Sequence, residues 1–179
     1  MTAIDAKYQQ LIQANPWIGT PTGPEQVCQD GKGHFRDYQG GASIYYLPDA
    51  GAHLINGLIR AKWIQLGREK GPNGYPITDE ADAISGKGRF NNFQNGTIIW
   101  KRGTPEAFSV YGEIYKKWGT MQYDSGPLGF PLTDEAATAV PNTGRFNDFD
   151  HGAIYYNVGV GTHVILSPVL DVWSIYARD

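Results

Sequence analysis

Two acidic pairs, Asp79-Glu80 and Asp134-Glu135, are the residues of this chain best equipped to do chemistry. Paired carboxylates are the set a glycoside hydrolase uses for acid–base work. Their surroundings argue against that use. The pairs close two copies of one octapeptide, NGYPITDE at 73–80 and LGFPLTDE at 128–135. Enzymes rarely build one active site per copy of a repeat. Two other readings stand beside catalysis. Thr78 or Thr133 can cap a turn whose N-terminus favours the acids, or the carboxylates can contact a ligand. Arg89 and Arg145 each precede a phenylalanine by one residue. Their planar guanidinium forks suit sugar hydroxyls or a carboxylate, and an ion pair with the neighbouring Thr-Asp-Glu run is the plainer alternative. Asn92 and Asp148, with Asp37 earlier, sit at equivalent positions and read as turn residues or ligand contacts. Tyr45, Trp100 and Tyr156 form a column of rings. A flat ligand with an apolar face and a polar rim would stack on such rings and bond such polar groups. Together these are the candidate ligand-binding residues; no catalytic residue, metal ligand or cofactor site is assigned.

Other chemistries find little support. There is no G-x-S-x-G elbow and no H-E-x-x-H. His53 and His163 occupy equivalent positions where the middle copy has Phe108, which points to ring packing rather than metal ligation. The single cysteine, Cys28, allows no disulfide within the chain and reads as a small half-buried residue. Gly-Lys-Gly at 31–33 and 86–88 lacks the downstream Lys-Ser/Thr of a phosphate loop and reads as a turn.

These residues sit on a repeat with a period of about 55. Gly19, Gly74 and Gly129 align, as do Pro21, Pro76 and Pro131, and Phe35, Phe90 and Phe146. A turn glycine follows at Gly41, Gly96 and Gly152, and a tryptophan column at Trp63, Trp118 and Trp173. Asn95-Gly96 reads as a two-residue type I′ turn, whose central residues need positive φ. Ile98 and Trp100 then alternate as on a half-buried strand. Leu54, Leu58, Ile59 and Trp63 fall at helical spacing, as do Val110, Ile114 and Trp118. Pro168 is tolerated only in a first turn, so the last helix is expected to start with Ser167 as its N-cap.

The expected fold is α+β: three tandem units of short helix, Gly-x-Pro loop and β-hairpin, plus a C-terminal helix. The boundaries are about 1–56, 57–111 and 112–166, with the closing helix about 167–177. A unit with one hairpin cannot close a core alone, so a single domain is expected, in a compact pseudo-threefold arrangement around one continuous core.

Bulk properties fit a globular chain. Of 179 residues, 41% are hydrophobic, and the net charge of −3 leaves no basic stripe for nucleic acid or an anionic membrane surface. No apolar run is long enough to span a membrane. The N-terminus shows no signal peptide, so a cytoplasmic chain or a trimmed secreted module is expected. With 23 glycines and 13% aromatics, turns and stacking surfaces should be plentiful. Tyr46, Tyr111, Tyr115, Tyr123 and Tyr155 fall outside the repeat columns and can line clefts between copies.

Leu-Gly-Phe-Pro at 128–131, the following Thr-Asp-Glu, Gly-Arg-Phe at 144–146 and the aromatic Gly-x-Ile hairpin together resemble the LGFP repeat family. The likeness is tight over 71–156 and loose over 1–55, where Thr-Pro-Thr-Gly-Pro-Glu replaces the motif and His34 replaces the arginine. The resemblance implies a wall-associated, non-catalytic module of the kind found beside mycolyltransferases and amidases of actinobacteria and their phages, holding them on wall polysaccharide. The expected function is therefore a carbohydrate-binding, lectin-like or cell-wall-polysaccharide-binding repeat protein, multivalent through clefts between its repeats. A monomer suffices for this. The alternative is a structural or protein-interaction module with no glycan ligand.

Overall fold

The computed structural model describes residues 1–138 and 144–169. It contains three helix-plus-sheet units. Helix α1 (Ala3–Ile12) opens on a capping box: Asp5 N–H donates to Thr2 Oγ1 and Thr2 N–H to Asp5 Oδ2. A sheet of β1 (Gln26–Val27), β2 (His34–Asp37), β3 (Ser43–Leu47) and β4 (Gly51–Ile55) follows. Helix α2 (Gly57–Gln65) leads to β5 (Ala81–Asp82), β6 (Gly88–Phe93), β7 (Gly96–Lys101) and β8 (Phe108–Tyr111). Helix α3 (Gly112–Thr120) leads to β9 (Ala136–Ala137), β10 (Arg145–Phe149), β11 (Gly152–Asn157) and β12 (Gly161–Leu166). Each sheet is an antiparallel meander in sequence order. From residue 170 onward the expected closing helix lies outside the described residues.

The α+β class and tandem repetition hold, but the expected hairpin is the middle of a four-stranded sheet. Leu54 and Val110, expected on helices, lie in β4 and β8. Both segments carry apolar residues at a spacing that fits either period, and the chain turns into helix only at Gly57 and Gly112. The turn differs as well. Phe93 pairs with Gly96 across Gln94-Asn95, and neither of those central residues has positive φ. Gly96 is instead required because a Cβ there would lie 2.3 Å from Val110 O on the adjoining strand. In the first copy the turn is one residue longer, with Tyr38 N–H bonded to Ala42 O. Ala42 therefore takes the place of Gly96. Tyr45 matches Ile99 and Tyr155, whereas Tyr46 matches Trp100 and Tyr156. The ring column read as Tyr45, Trp100 and Tyr156 is thus one residue out of step in its first member.

Alternation along the strands divides the apolar interior. In β3, Ile44 joins Ile4, Ile18, Tyr38 and Leu54 on the α1 side. Tyr45, with Phe35 and Ile55, faces α2. There Ile59 and Trp63 are packed from the other side by Phe93 and Ile98. Beyond them Ile99 and Val110 meet Ile114 and Trp118 of α3, backed by Phe149 and Ile154. The interior is therefore three clusters in series rather than one continuous core, with α2 and α3 each held between two sheets. Burying each large side chain of this kind stabilises by about 1.5–3 kcal/mol.

Candidate functional site

The octapeptide joins successive units. Gly129, at φ +72°, lets the chain turn, and Pro131 bridges to Phe149 as a short edge pairing. Leu132 N–H then donates to Asp148 O, and Asp148 N–H donates to Thr133 Oγ1 at 3.0 Å. The ring of the motif enters the preceding unit. A Cβ on Gly88 would lie 2.7 Å from Phe130 Cε1, so only glycine leaves room for that ring. Tyr75 occupies the same place over Gly33, where its hydroxyl donates to Asp30 and accepts from Gly33 N–H. Thr20 holds this position in the first copy; among the described residues no earlier unit offers a socket for a ring.

The Thr-Asp-Glu carboxylates complete the joint. Asp134 accepts from Lys62 Nζ at 2.8 Å and from Ser109 N–H at 2.8 Å, tying the third unit to α2 and β8. Asp79 repeats the arrangement with Lys7 of α1 and Leu54 N–H of β4. In the first copy Pro24 stands where these aspartates would be. Glu80 bonds Arg89 Nε at 2.8 Å and Asn56 Nδ2 at 2.7 Å, and Glu135 bonds Arg145 Nε at 2.9 Å. Arg145 also donates to Tyr111 OH. Burial raises the Glu135 pKa, only partly opposed by Arg145 and Tyr111. These carboxylates and arginines are engaged with one another, and no helix follows the acids; the short strands β5 and β9 do.

Two asparagines that sequence reasoning passed over complete the joint. Asn91 Nδ2 donates to Leu54 O and Thr78 O, and Asn147 Nδ2 to Ser109 O and Thr133 O. Both are fully buried. Their signal was recurrence one residue before Asn92 and Asp148.

Burial alone would raise the Asp79 pKa, yet His53, Lys7 and Leu54 N–H together hold it at about 2. A depressed carboxylate stabilises the fold above its ordinary pKa and loses that contribution as pH falls. Between pH about 4 and 2 the first joint should therefore weaken. Urea midpoints for the wild type and Asp79→Asn should differ at pH 6 and converge toward pH 2; a constant difference would contradict the assignment.

The remaining candidates scatter. Tyr45 is core, stacked on Phe35 at 5.1 Å and edge-on to Trp63 at 4.6 Å. Trp100 Nε1 donates to Thr104 O in its own turn, beside the start of α2. Tyr156 packs against the third cluster. Asp37 accepts from Ser43 Oγ and Arg60. Cys28 is buried, its thiol pushed up to about 11 by burial, which leaves it a poor nucleophile. His53 Nε2 and His163 Nε2 approach the carbonyls of Ala50 and Val160 in their own turns. Among the described residues no cluster of three His, Cys, Asp or Glu side chains can hold a metal, and no helix is long and apolar enough to cross a membrane.

Glu80 and Trp100 line a pocket of about 220 Å³ with Asn56, Leu58 and Ile59, and Asn92 opens onto a second, aromatic one. Between β6–β7 and α3 lies an aromatic pocket of about 100 Å³, walled by Phe90, Ile99, Tyr115, Trp118 and Tyr123. Asn92 and Tyr115 also line an adjoining shallow groove of about 670 Å³ that runs past Ile77, Gln94 and Tyr111. Tyr115 OH donates to Asn92 Oδ1 at 3.3 Å, while Asn92 Nδ2 has no protein partner among the described residues. Asp124, at the pocket's edge, accepts from the backbone N–H groups of Ile84 and Ser85.

The equivalent space one unit earlier is filled. Tyr45 stands for Ile99, Arg60 for Tyr115 and Arg68 for Tyr123. Arg60 bonds Asp37 and Ser43, the counterparts of Asn92 and Thr97, and Arg68 lies over the Phe35 ring at 5.9 Å. The second junction has tyrosines and an asparagine in place of those arginines and Asp37 and keeps a cleft, with Asp124 at the pocket and Lys116 at the groove.

Three helix-plus-meander units locked by a recurring Gly-aromatic-Pro joint define a tandem repeat protein. The family model for the LGFP repeat matches three times, over residues 18–71, 74–126 and 128–176, and the chain belongs to the LGFP repeat family. No curated protein matches the chain.

Proposed function

We propose that the protein is a non-catalytic carbohydrate-binding module, lectin-like or wall-polysaccharide-binding, whose ligand lies along the groove beside α3. The observation that carries this reading is the groove of about 670 Å³ with Asn92 and Tyr115 on its floor. That volume falls within the roughly 300–1,000 Å³ of small-molecule sites. Rings there can stack on the C–H face of a sugar while a carboxamide and phenol meet its hydroxyls.

The shared joints and sheet order support keeping the three units as one repeated, pseudo-threefold set, but the side chains that fill the aromatic space at the first junction favour the cleft at the second. Multivalency through every junction is therefore replaced, in this reading, by one main site. A protein-interaction module is the competing reading, and exposed Ile77 and Leu132 at matching places in two units favour it.

A panel of arabinogalactan, peptidoglycan fragments and oligosaccharides, read by tryptophan fluorescence, separates the two. At least one glycan should shift the emission saturably, and Tyr115→Ala should weaken its binding at least ~10-fold, a stacking loss of about 1.4 kcal/mol or more. No response to any glycan would leave the protein-interaction reading.

A further inference from the structure

The pocket and the groove beside it differ in size and polarity, and the difference specifies a guest. At about 100 Å³ the pocket is too small for a sugar ring; an apolar cavity of roughly 150 Å³ just holds benzene. It suits a substituent of a few heavy atoms. Phe90, Ile99 and Trp118 give it apolar walls, so the inner part of the guest must be apolar.

At the mouth, Asn92 offers both halves of an amide. Its Nδ2 is free to donate, and Oδ1, which takes one long bond from Tyr115, keeps a second lone pair. The matching guest has a carbonyl to accept from Nδ2 and a methyl beyond it. Asp37 of the filled junction is replaced by neutral Asn92, so the mouth of the pocket carries a carboxamide where the first junction has a carboxylate; Asp124, at the pocket's edge, is bonded by two backbone N–H groups.

We propose that the pocket walled by Phe90, Ile99 and Trp118 receives the acetamido group of an N-acetylated hexosamine whose ring lies in the adjoining groove. The inference rests on the glycan-binding reading and narrows it to acetamido sugars. The methyl packs on Ile99 and Trp118, and the carbonyl accepts from Asn92 Nδ2; the N–H of a trans amide points away from that carbonyl and stays on the groove side. A hydroxyl at the same carbon would leave the pocket walls without a contact.

Three trisaccharides that differ only at that carbon test this by calorimetry on the full chain: tri-N-acetylchitotriose, cellotriose and the glucosamine trimer. The acetylated trimer should bind at least about tenfold more tightly than cellotriose, the low end of what a buried methyl gives in a fitted pocket. Ile99→Tyr introduces the residue that fills the first junction and should abolish the preference for the acetylated trimer over cellotriose. Asn92→Ala, at a half-buried position whose backbone bond to Thr78 is retained, should reduce the preference and provides a second variant if Ile99→Tyr does not fold. Equal binding of the acetylated trimer and cellotriose would overturn the inference and leave the groove as a glycan site. Tightest binding of the glucosamine trimer would overturn it in favour of a cationic guest. Binding of none of the three, with another glycan of the panel bound, would overturn the acetamido assignment alone. Failure of every glycan would remove the function on which it rests.

Discussion

Asp134→Ala is expected to lower stability by roughly 2–3 kcal/mol, read as a shift of the urea midpoint at unchanged slope. Lys62 carries the argument. Its side chain is only 5% exposed, buried between the second and third units. Burial works against the charge, but Asp134 and Glu106 outweigh it and raise the Lys62 pKa. Removing Asp134 leaves that ammonium with half-exposed Glu106 and deprives Ser109 N–H of its acceptor. A fully buried pair would cost about 3–5 kcal/mol when broken; Asp134 keeps 30% of its side-chain surface in water, which moderates the figure. Lys62→Met should cost less, because it removes the buried charge and leaves Asp134 bonded to Ser109. The double variant should cost less than the sum of the two, since both changes break one contact. A change below about 0.5 kcal/mol for Asp134→Ala, the range of an ordinary surface substitution, would mean that the carboxylate is not part of a joint.

The tryptophans give the second large effect. Trp63→Ala and Trp118→Ala should each cost roughly 3–5 kcal/mol, since both side chains are buried between two sheets. The phenylalanine variants should differ from each other. Trp63 Nε1 donates to Gly74 O at 2.9 Å, within the joint, whereas the buried Trp118 Nε1 has no partner among the described residues. Trp63→Phe breaks a hydrogen bond and leaves the Gly74 carbonyl short of a donor. Trp118→Phe removes an unsatisfied donor. Trp63→Phe should thus be the costlier by about 1 kcal/mol in paired urea titrations. Equal costs would mean that the two junctions are held alike.

The period, the joint and the tryptophan column were legible because each is a run of unusual residues at fixed spacing. Gly129, Phe130 and Pro131 are each needed for a different physical reason, so their recurrence carries weight. The fourth strand of each sheet was not legible. Its four to six residues include Ser109 in one copy and Leu54 in another, and the latter also continues a helical pattern. Asn91 and Asn147 were lost among asparagines that usually mark turns; a buried asparagine bonding two carbonyls has no local signature.

The cleft was hidden by one residue. The longer turn of the first copy shifted Tyr45 against Trp100, when the strands pair it with the place of Ile99. Only in the correct register is the opening visible as a tyrosine replaced by isoleucine and two arginines replaced by tyrosines. Asn92 was found for a partial reason, as a polar residue at a repeated position. Tyr115 stood out because it broke the columns.

The central claim is a division of labour: the Thr-Asp-Glu carboxylates hold units together, and the cleft beside α3 meets the ligand. A side-chain NMR titration with the best-binding oligosaccharide of the panel tests this most directly. The account predicts saturable shifts of the Asn92 carboxamide, the Tyr115 ring and the Ile99 methyls, with the carboxyl signals of Asp79 and Asp134 unmoved. Shifts centred on Asp79, Asp134 and their lysines, with Asn92 and Ile99 silent, would contradict it.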